Sequence, residues 1–398
     1  MEPRELALTD DTVGIIARDF AGLFSGDVGV SSIAGGQSAA DRALAQLDIT
    51  NYARQRSEVL PRNRRGASVL SPYIRHNLLT LDQVHRAVAS APYQDREKFR
   101  DELLWQEYAR HVYARLGTRL FENLRFATPP PTTGAGWNRD MKCLDEVLSE
   151  LERDGWLVNQ TRMWLASHWS VRSSAEWQAG QELMYRQLID GSRAANLLGW
   201  QWTIGAGTGK PYGFARWQVE KRAPGLCTSC PLSAACPIQQ FPDETSPRPL
   251  ASEPLLDHDT QLETTTGPLE PRLTDHPEVV LLTIDSLGDA DPALVAHPDL
   301  PVVFVFNVVA LQRLQLSARR IGFYLQTLQD LSTRRELRVF LGDPYDFALE
   351  TKVAVTHAPV PSFSKFVRPA EVHPFPWLKL PHAGSIRSFS AWRRAGGY

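Results

Sequence analysis

The sequence predicts a protein of two domains of different class, an all-α domain followed by an α/β domain. The chain has 398 residues, of which 43% are hydrophobic and 22% charged, which is enough to form two cores. Apolar residues recur at three- and four-residue spacing through about residue 240. After Pro277, short β-branched runs alternate with helical patterns, which is typical of a parallel sheet.

The helical pattern covers residues 1–240. It is clearest in the segments LTDDTVGIIARDFAGLF, GGQSAADRALAQLDITNYARQ and DREKFRDELLWQEYARHVYARL. Because no long alternating strand pattern interrupts this half, we predict one all-α domain over residues 1–240.

A change of composition marks the next segment, residues 241–277. Seven prolines lie between Pro242 and Pro277, and no aromatic residue follows Phe241. This favours an extended linker with little structure of its own. The alternative is an ordered excursion that packs along both domains.

Residues 278–398 are predicted to form the α/β domain. The strand candidates are EVVLLTID, PVVFVFN, LRVFLGD and the weaker VAVTHAPV, and LSARRIGFYLQTLQDLSTRR between them is an amphipathic helix. The arrangement is Rossmann-like, but no GxGxxG follows any strand, so the dinucleotide fingerprint is absent.

Composition also narrows the function classes. No stretch of about 18 uncharged apolar residues is present and the first residues lack a signal-peptide pattern, so we expect a cytoplasmic protein without a membrane span. The net charge is −2, so binding to nucleic acid would require a local basic patch. The candidate residues for such a patch are Arg56, Arg62, Arg64, Arg65, Arg75, Lys210, Arg216 and Lys221.

The four cysteines suggest a metal centre. Cys227, Cys230 and Cys236 lie within ten residues, while Cys143 stands apart in a predicted helix. Four thiolates suit an iron–sulfur cluster or a zinc ion, and their spacing alone does not choose between the two. A disulfide is the remaining alternative, and it is disfavoured in a cytosolic chain.

The segment that contains most of the informative motifs is residues 164–212. It contains LIDGSRAAN followed by GWQW and a loop rich in Gly and Thr. This arrangement resembles the flavin domain of the photolyase–cryptochrome family. NYARQR, GASVLSPYIRHNLLTL, DELLWQEYARH and GWLVNQTRMWLAS precede it in the family's order.

The resemblance implies FAD as cofactor and a set of residues that would hold it. Ser68 and Ser71 would hold the pyrophosphate, Arg162 would pair with Asp190, and the amide of Asn196 would face the flavin ring. The full set is Tyr52, Ala67, Ser68, Val69, Leu70, Ser71, Asn159, Arg162, Asp190, Gly191, Ser192 and Asn196.

The resemblance also implies a catalytic set, Glu102, Trp105, Asn196, Trp200 and Trp177. Glu102 and Trp105 would contact a flipped pyrimidine dimer, the carboxyl by hydrogen bonds and the indole by stacking. Trp200 and Trp177 would carry electrons towards the flavin, with Trp137 or Trp156 as the distal member.

For Trp164 and Trp169 we prefer a role in core packing. Three positions depart from the family pattern, namely Ala67, Gln106 and Ser192. Ser192 stands where the family has an acidic residue, so the resemblance does not determine the redox chemistry of the flavin.

Two further features of the family bear on this chain. One bacterial subclass of the family binds a four-iron cluster through one Cys in the helix that corresponds to the predicted helix of Cys143 and through three Cys after GWQW. This layout favours a [4Fe–4S] cluster over zinc at Cys143, Cys227, Cys230 and Cys236. The α/β part resembles the antenna domain, which precedes the flavin domain in the family, so the order here implies a circular permutation. The usual basic strand-end motif reads TIDSLGD, which makes a bound antenna chromophore doubtful.

The predicted function is light-driven repair of UV-damaged DNA, single- or double-stranded, by a photolyase-like lyase. The alternative is a cryptochrome-like blue-light photoreceptor without repair. A third possibility is a light-independent, cluster-containing nucleic-acid binder. The sequence leaves the oligomeric state open and favours a monomer.

Overall fold

The structure is a computed structural model that describes residues 3–131, 136–242 and 247–398. The helices of the first half are α1 Thr12–Asp19, α2 Gln37–Ala45, α3 Tyr52–Gln55, α4 Ser71–Arg75, α5 Leu81–Ala87, α6 Tyr93–Leu116, α7 Lys142–Asp154, α8 Asn159–Ala166, α9 Trp177–Gln187, α10 Arg193–Thr203 and α11 Arg216–Arg222. Those of the second half are α12 Leu262–Thr266, α13 Pro292–Ala296, α14 Val308–Leu314, α15 Ala318–Ser332, α16 Pro344–Glu350 and α17 Phe389–Gly396.

The strands are β1 Arg4–Glu5, β2 Phe24–Ser25, β3 Phe126–Ala127, β4 Arg248–Pro249, β5 Arg272–Leu273, β6 Val279–Leu282, β7 Val302–Asn307, β8 Leu316–Ser317, β9 Leu337–Gly342, β10 Val353–Thr356 and β11 Glu371–His373. The main sheet has the order β1-β9-β7-β6-β10-β11-β5. Its inner strands β6, β7, β9, β10 and β11 run parallel, and β1 and β5 add antiparallel edges. The predicted parallel sheet is confirmed by this pairing.

The inner strand β7 is apolar on both faces because helices cover the sheet. Val302, Val303, Phe304 and Val305 of β7 are all at most 5% exposed. α15, the predicted amphipathic helix, packs against β9. A continuous apolar run is what a strand buried on both faces requires.

The N-terminal residues differ from the prediction of an all-α domain over residues 1–240. β1 pairs with β9 at the edge of the sheet, and α1 and α2 both pack against α15. Phe20 meets Phe306 of β7 with ring centroids 4.9 Å apart. The periodicity of this segment predicted helix correctly, but its apolar face packs on α15 of the α/β part and not on the helices of the helical part.

The Pro-rich segment and the C-terminus also cross the predicted boundaries. In residues 247–277, β4 pairs with β3 of the helical part and β5 pairs with β11 of the sheet, which matches the ordered alternative and not the linker. Residues 243–246 lie outside the described residues. At the other end, Ile386, Phe389 and Trp392 join the core of the helical part. The predicted α/β domain over 278–398 therefore contributes its last helix, α17, to the helical part.

The two parts meet through buried polar contacts. The Arg320 guanidinium on α15 is fully buried and donates to the carbonyls of Tyr185 and Gly191, at 2.9 and 2.7 Å. Arg75 of α4 binds Asp285 after β6, with Nη1 2.6 Å from Oδ1. No helix in the described parts of the chain is long and apolar enough to cross a bilayer.

Candidate functional site

A cavity of about 750 Å³ opens in the helical part. α6, α8 and α10 form its walls, together with the loop before α4 and the start of α17. Most of the predicted site residues line it, namely Tyr52, Ala67, Ser68, Val69, Ser71, Glu102, Trp105, Asn159, Arg162, Asp190, Ser192, Asn196 and Trp200. This volume lies within the range of small-molecule and cofactor sites.

Three residues predicted for the site lie outside this lining. Leu70 is fully buried in the core that joins helices and sheet. Gly191 lies beside Arg320, which accounts for the lack of a side chain: a β-carbon there would be 2.3 Å from Arg320 Nη1. Trp177 is 3% exposed, and its Nε1 donates to Asn123 Oδ1 at 3.0 Å.

The carboxylate of Asp190 lies in the cavity wall and is bound by two other side chains. Arg162 Nη2 and Ser71 Oγ both donate to its Oδ2, at 2.7 and 2.6 Å. Trp156 Nε1 donates in turn to Ser71 Oγ at 2.9 Å. The pairing of Arg162 with Asp190 confirms the prediction, whereas the hydroxyl proton of Ser71 is directed at Asp190.

Asp190 still has an unused acceptor. The residue is 6% exposed, and its Oδ1 finds no hydrogen-bond partner within the described residues. A buried carboxylate oxygen without a partner is costly, so a ligand that donates a hydrogen bond here would relieve that cost.

The other residues that were predicted to hold the flavin lie in different local settings. Ser192 is the N-cap of α10, where its Oγ accepts from Ala195 N at 3.3 Å. Asn159 is exposed at the start of α8, and Asn196 is buried on α10. Val69, in the loop before α4, has a φ of 57°, a conformation that is rare for a β-branched residue.

Glu102 and Trp105 lie one helical turn apart at the mouth of the cavity. The Glu102 carboxylate is held by two cations, with Lys98 Nζ at 2.9 Å and Arg56 Nε at 3.3 Å from its Oε1. Trp105 is 37% exposed. The two side chains thus present an acceptor and an aromatic face to the same opening.

The sequence analysis missed the wall that α17 contributes. Arg387, Ser388, Phe389 and Ser390 line the cavity, and Phe389 stacks on Trp105 with ring centroids 4.1 Å apart and planes 11° apart. No local signal could have placed them there because they are nearly 300 residues from the helix they contact. The amphipathic pattern of FSAWRRAG was the only available hint of a buried face.

The tryptophans make contacts that the sequence analysis did not predict. A β-carbon at Gly180 would lie 2.6 Å from Trp200 Cη2 and 2.7 Å from Trp169 Cδ1, so these two indoles are neighbours. Trp169 and Trp137 follow, with ring centroids 4.7 Å apart. Trp156 lies in the cavity wall, and Trp164 stacks on Phe214 in the core. Trp137, partly exposed, is the distal candidate that this order supports.

All four cysteines line one small cavity of about 20 Å³. Cys143 lies on α7, and Cys227, Cys230 and Cys236 lie on the loop after α11. Burial first, and then the charges of the other three cysteines, raise the pKa of the Cys143 thiol to about 12. Burial likewise raises the pKa of Cys227. Because four thiolates would repel one another here, the arrangement suits a bound cationic centre.

The predicted basic patch is largely neutralised. Arg56, Arg62, Arg65, Arg75 and Arg216 each pair with a carboxylate, of Glu102, Glu146, Glu150, Asp285 and Glu220 respectively. Arg64, Lys210 and Lys221 are exposed, and within residues 3–131, 136–242 and 247–398 they have no ion pair. A continuous basic surface is therefore not formed by the predicted set.

Comparison with known proteins finds a match in the helical part. Residues 99–219, which include α6, α8 and α10, match the family model described as the FAD binding domain of DNA photolyase. This segment of the helical part is therefore similar to the flavin domain of the photolyase–cryptochrome family, which agrees with the resemblance found in the sequence. A deoxyribodipyrimidine photo-lyase of Vibrio cholerae is 27% identical in an alignment of 200 residues that covers 44% of this chain and 42% of that protein. That of Salmonella typhimurium is 31% identical over 119 residues, 27% of this chain and 25% of that protein.

The match to these photolyases is partial in length. The chain spans 42% and 38% of the first two curated relatives, so less than half of each. Among solved structures, a bacterial class III photolyase from Agrobacterium tumefaciens aligns with a TM-score of 0.40 at 21% identity, over 55% of this chain and 46% of that one.

Proposed function

We propose that the protein binds FAD in the 750 Å³ cavity and uses light to repair pyrimidine dimers in UV-damaged DNA. One observation carries the proposal. Glu102 and Trp105 lie at the mouth of the same cavity that Asp190 and Arg162 line at another point. A lesion and a flavin could thus be held side by side, which electron transfer between them requires.

The residues of the cavity suit FAD. Bound FAD would supply light absorption and one-electron chemistry. Asp190 Oδ1 offers an acceptor without a partner, Arg162 supplies a cation beside it, and Trp200 Nε1 is a buried donor left unpaired within the described parts of the chain. The match of residues 99–219 to a photolyase FAD-binding domain supports the same assignment.

At the mouth, this chain's residues would bind and orient the lesion. Trp105 would stack on an extruded base, since base–aromatic stacking contributes about 1–3 kcal/mol per base. Glu102, fixed by Lys98 and Arg56, would accept hydrogen bonds from base N–H groups. The exposed Arg64, Lys210 and Lys221 would be free to contact phosphates.

For reduction of the flavin we propose the relay Trp200, Trp169 and Trp137. The packing around Gly180 and the 4.7 Å spacing of Trp169 and Trp137 support it. In this order Trp177 is a structural residue that is hydrogen-bonded to Asn123.

We further propose that Cys143, Cys227, Cys230 and Cys236 hold a [4Fe–4S] cluster. In a tetrahedral zinc site with Zn–S bonds of about 2.3 Å, the sulfurs lie about 3.8 Å from one another. Within the described residues, the only trio of potential ligand atoms that all lie within 4.8 Å of one another is at His297, Glu371 and His373. The wider spacing of the four thiols supports a cluster over a single ion.

The photoreceptor without repair is the second candidate, and one contact favours it. Phe389 of α17 covers one face of Trp105, the residue proposed to stack on the lesion. If α17 stays docked, access to the mouth of the cavity is restricted.

The two candidates are separated by illuminating the FAD-loaded, reduced protein with DNA that contains pyrimidine dimers. We expect dimers to disappear in light and not in darkness. Glu102→Gln should slow this loss while FAD content stays that of the wild type. Normal flavin photoreduction with no loss of dimers would instead assign the receptor function.

The order of the parts is consistent with a circular permutation of the family arrangement, which we retain as a proposal. The matched flavin-domain segment, 99–219, precedes the sheet strands β6 to β11. Permutation is tolerated where chain ends lie at the surface, as loops and termini usually do.

A further inference from the structure

A second cluster of ligand-type side chains lies in the α/β part, away from the large cavity and the four cysteines. His297 follows the last residue of α13, and Glu371 and His373 lie on β11. Because side chains alternate along a strand, positions 371 and 373 project from the same face of the sheet. α13 packs against β10 and β11, which places His297 over that face.

The three side chains converge on one point. Glu371 Oε2 lies 2.6 Å from His297 Nε2, and Glu371 Oε1 lies 3.2 Å from His373 Nε2. One nitrogen of each histidine and a carboxylate oxygen all lie within 4.8 Å of one another. In a tetrahedral zinc site with bonds of about 2.0–2.2 Å, ligand atoms are about 3.3 Å apart. Small side-chain rotations are enough to reach that spacing.

An independent feature points to a missing ligand. His373 is 3% exposed, and its Nε2 has no hydrogen-bond partner among the residues described, although a carboxylate oxygen lies 3.2 Å away. A buried nitrogen left unpaired beside a carboxylate is costly unless something binds it.

We propose that His297, Glu371 and His373 form a binding site for a divalent transition-metal ion, zinc by the type of donors. Two imidazole nitrogens and one carboxylate are a common ligand set for zinc, and they disfavour Mg²⁺ and Ca²⁺, which prefer oxygen ligands. His297, whose side chain is 23% exposed, leaves the fourth position open to water.

The ion would tie the end of α13 to β11, next to the edge strand β5. The backbone at His297 is already fixed by Arg335, whose Nη2 donates to the His297 carbonyl at 2.8 Å. A metal would add a side-chain link where β11 contributes only three residues to the sheet. The proposal does not depend on the photochemical function.

The test is a zinc titration of the full-length protein followed by calorimetry and by metal analysis after dialysis. The variants are His297→Gln and His373→Gln, with His357→Gln as the control, a half-buried histidine one residue after β10 that lies outside the cluster. The four cysteines are unchanged in all of them, so any zinc that they bind cancels in the comparison.

We expect the wild type and His357→Gln to bind one equivalent of zinc more than the two ligand variants. Loss of a ligand should weaken binding by at least about 100-fold, since even outer-shell partners contribute 10–100-fold. Zinc, and not Mg²⁺, should raise the Tm of the wild type. If His373→Gln fails to fold, the more exposed His297→Gln still gives the comparison. Equal zinc stoichiometry and affinity in wild type and His297→Gln would overturn the proposal.

Discussion

Two carboxylate–arginine pairs of similar geometry serve different ends in the two parts of the molecule. Asp190 binds Arg162 at 2.7 Å in the helical part, and Asp285 binds Arg75 at 2.6 Å between the helices and the sheet. Asp190 lines a cavity of about 750 Å³ and retains a buried oxygen that has no partner in residues 3–131, 136–242 and 247–398. The main chain of Asp285 is bonded as well, since Asn77 Nδ2 donates to its carbonyl at 2.9 Å.

The same contrast extends to the surroundings of each pair. In the helical part, Asp190 Oδ1 and Trp200 Nε1 are buried without a hydrogen-bond partner among the described residues, and four thiols line a small cavity. The segment after β6, where the family's strand-end motif would lie, packs on the turn after α4: Gly288 would place a β-carbon 2.2 Å from the Asn77 carbonyl oxygen. An ion pair alone therefore does not indicate a site, whereas an ion pair with unused acceptors beside a cavity does.

The largest effects that we expect are those of Asp190→Asn and Asp285→Asn. They should distinguish an ion pair that serves cofactor binding from one that serves the stability of the fold. Breaking a buried ion pair costs about 3–5 kcal/mol, because the partner charge is left unpaired. For Asp190→Asn this cost should appear in cofactor binding, as a loss of FAD affinity of at least about 100-fold. For Asp285→Asn it should appear in the free energy of unfolding, with FAD per folded molecule unchanged.

The measurements are flavin absorbance per folded protein and denaturant unfolding. If Asp285→Asn lost FAD as completely as Asp190→Asn while remaining folded, the contrast between the two pairs would be wrong.

Gly180→Ala and Gly322→Ala test packing in the two parts. A β-carbon at Gly180 meets two indoles at 2.6 and 2.7 Å, whereas at Gly322 it meets the Val30 Cγ1 methyl at 3.0 Å. Rigid rings cannot yield, so Gly180→Ala should lower the free energy of unfolding by about 1–3 kcal/mol. Gly322→Ala should change it by less than about 1 kcal/mol, because the gain in helix propensity offsets a small displacement.

Gly180→Ala should also slow flavin photoreduction, because it separates Trp200 from Trp169. Trp169→Phe should slow it as well, and Trp177→Phe should leave it near the wild-type rate. The opposite ranking of these two tryptophans would restore the order predicted from the sequence.

The smallest effect concerns pH and the contact between α6 and the C-terminal segment. His111 accepts from Trp392 Nε1 at 2.9 Å, and its other nitrogen lies 2.9 Å from the Lys379 carbonyl. Burial lowers the pKa of His111 to about 3, below its unfolded value of about 6.5. The unfolded chain therefore binds the proton more readily, and stability should fall as pH drops from about 6.5 towards 3.

The contribution of His111 is at most about 1.4 kcal/mol per pH unit. Unfolding measured at pH 7.5 and 5.5 in the wild type and in His111→Gln isolates it from the other buried histidines. The variant should show the shallower dependence on pH, and an unchanged slope would remove His111 as the cause.

Local patterns predicted much of the fold and part of the site. The strands β6, β7, β9 and β10 lie within the predicted runs, because apolar β-branched segments are buried wherever they pack. The Arg162–Asp190 pair was predicted through family motifs, and the structure confirms it. The contact between Trp200 and Trp169 was not predicted. Helical spacing indicates which residues share one face of a helix, but it does not indicate which other helix packs against that face.

What the sequence by itself determined is the type of each element, the grouping of four cysteines and the motifs of a flavin domain. Only the tertiary structure decided that α1 packs on α15 of the α/β part, that α17 lines the cavity and that His297 meets His373. The physical reason is that hydrophobic periodicity defines an apolar face but carries no information about its partner. Which apolar faces pack against each other depends on the close packing of the whole interior, and the partners can be hundreds of residues apart in the chain.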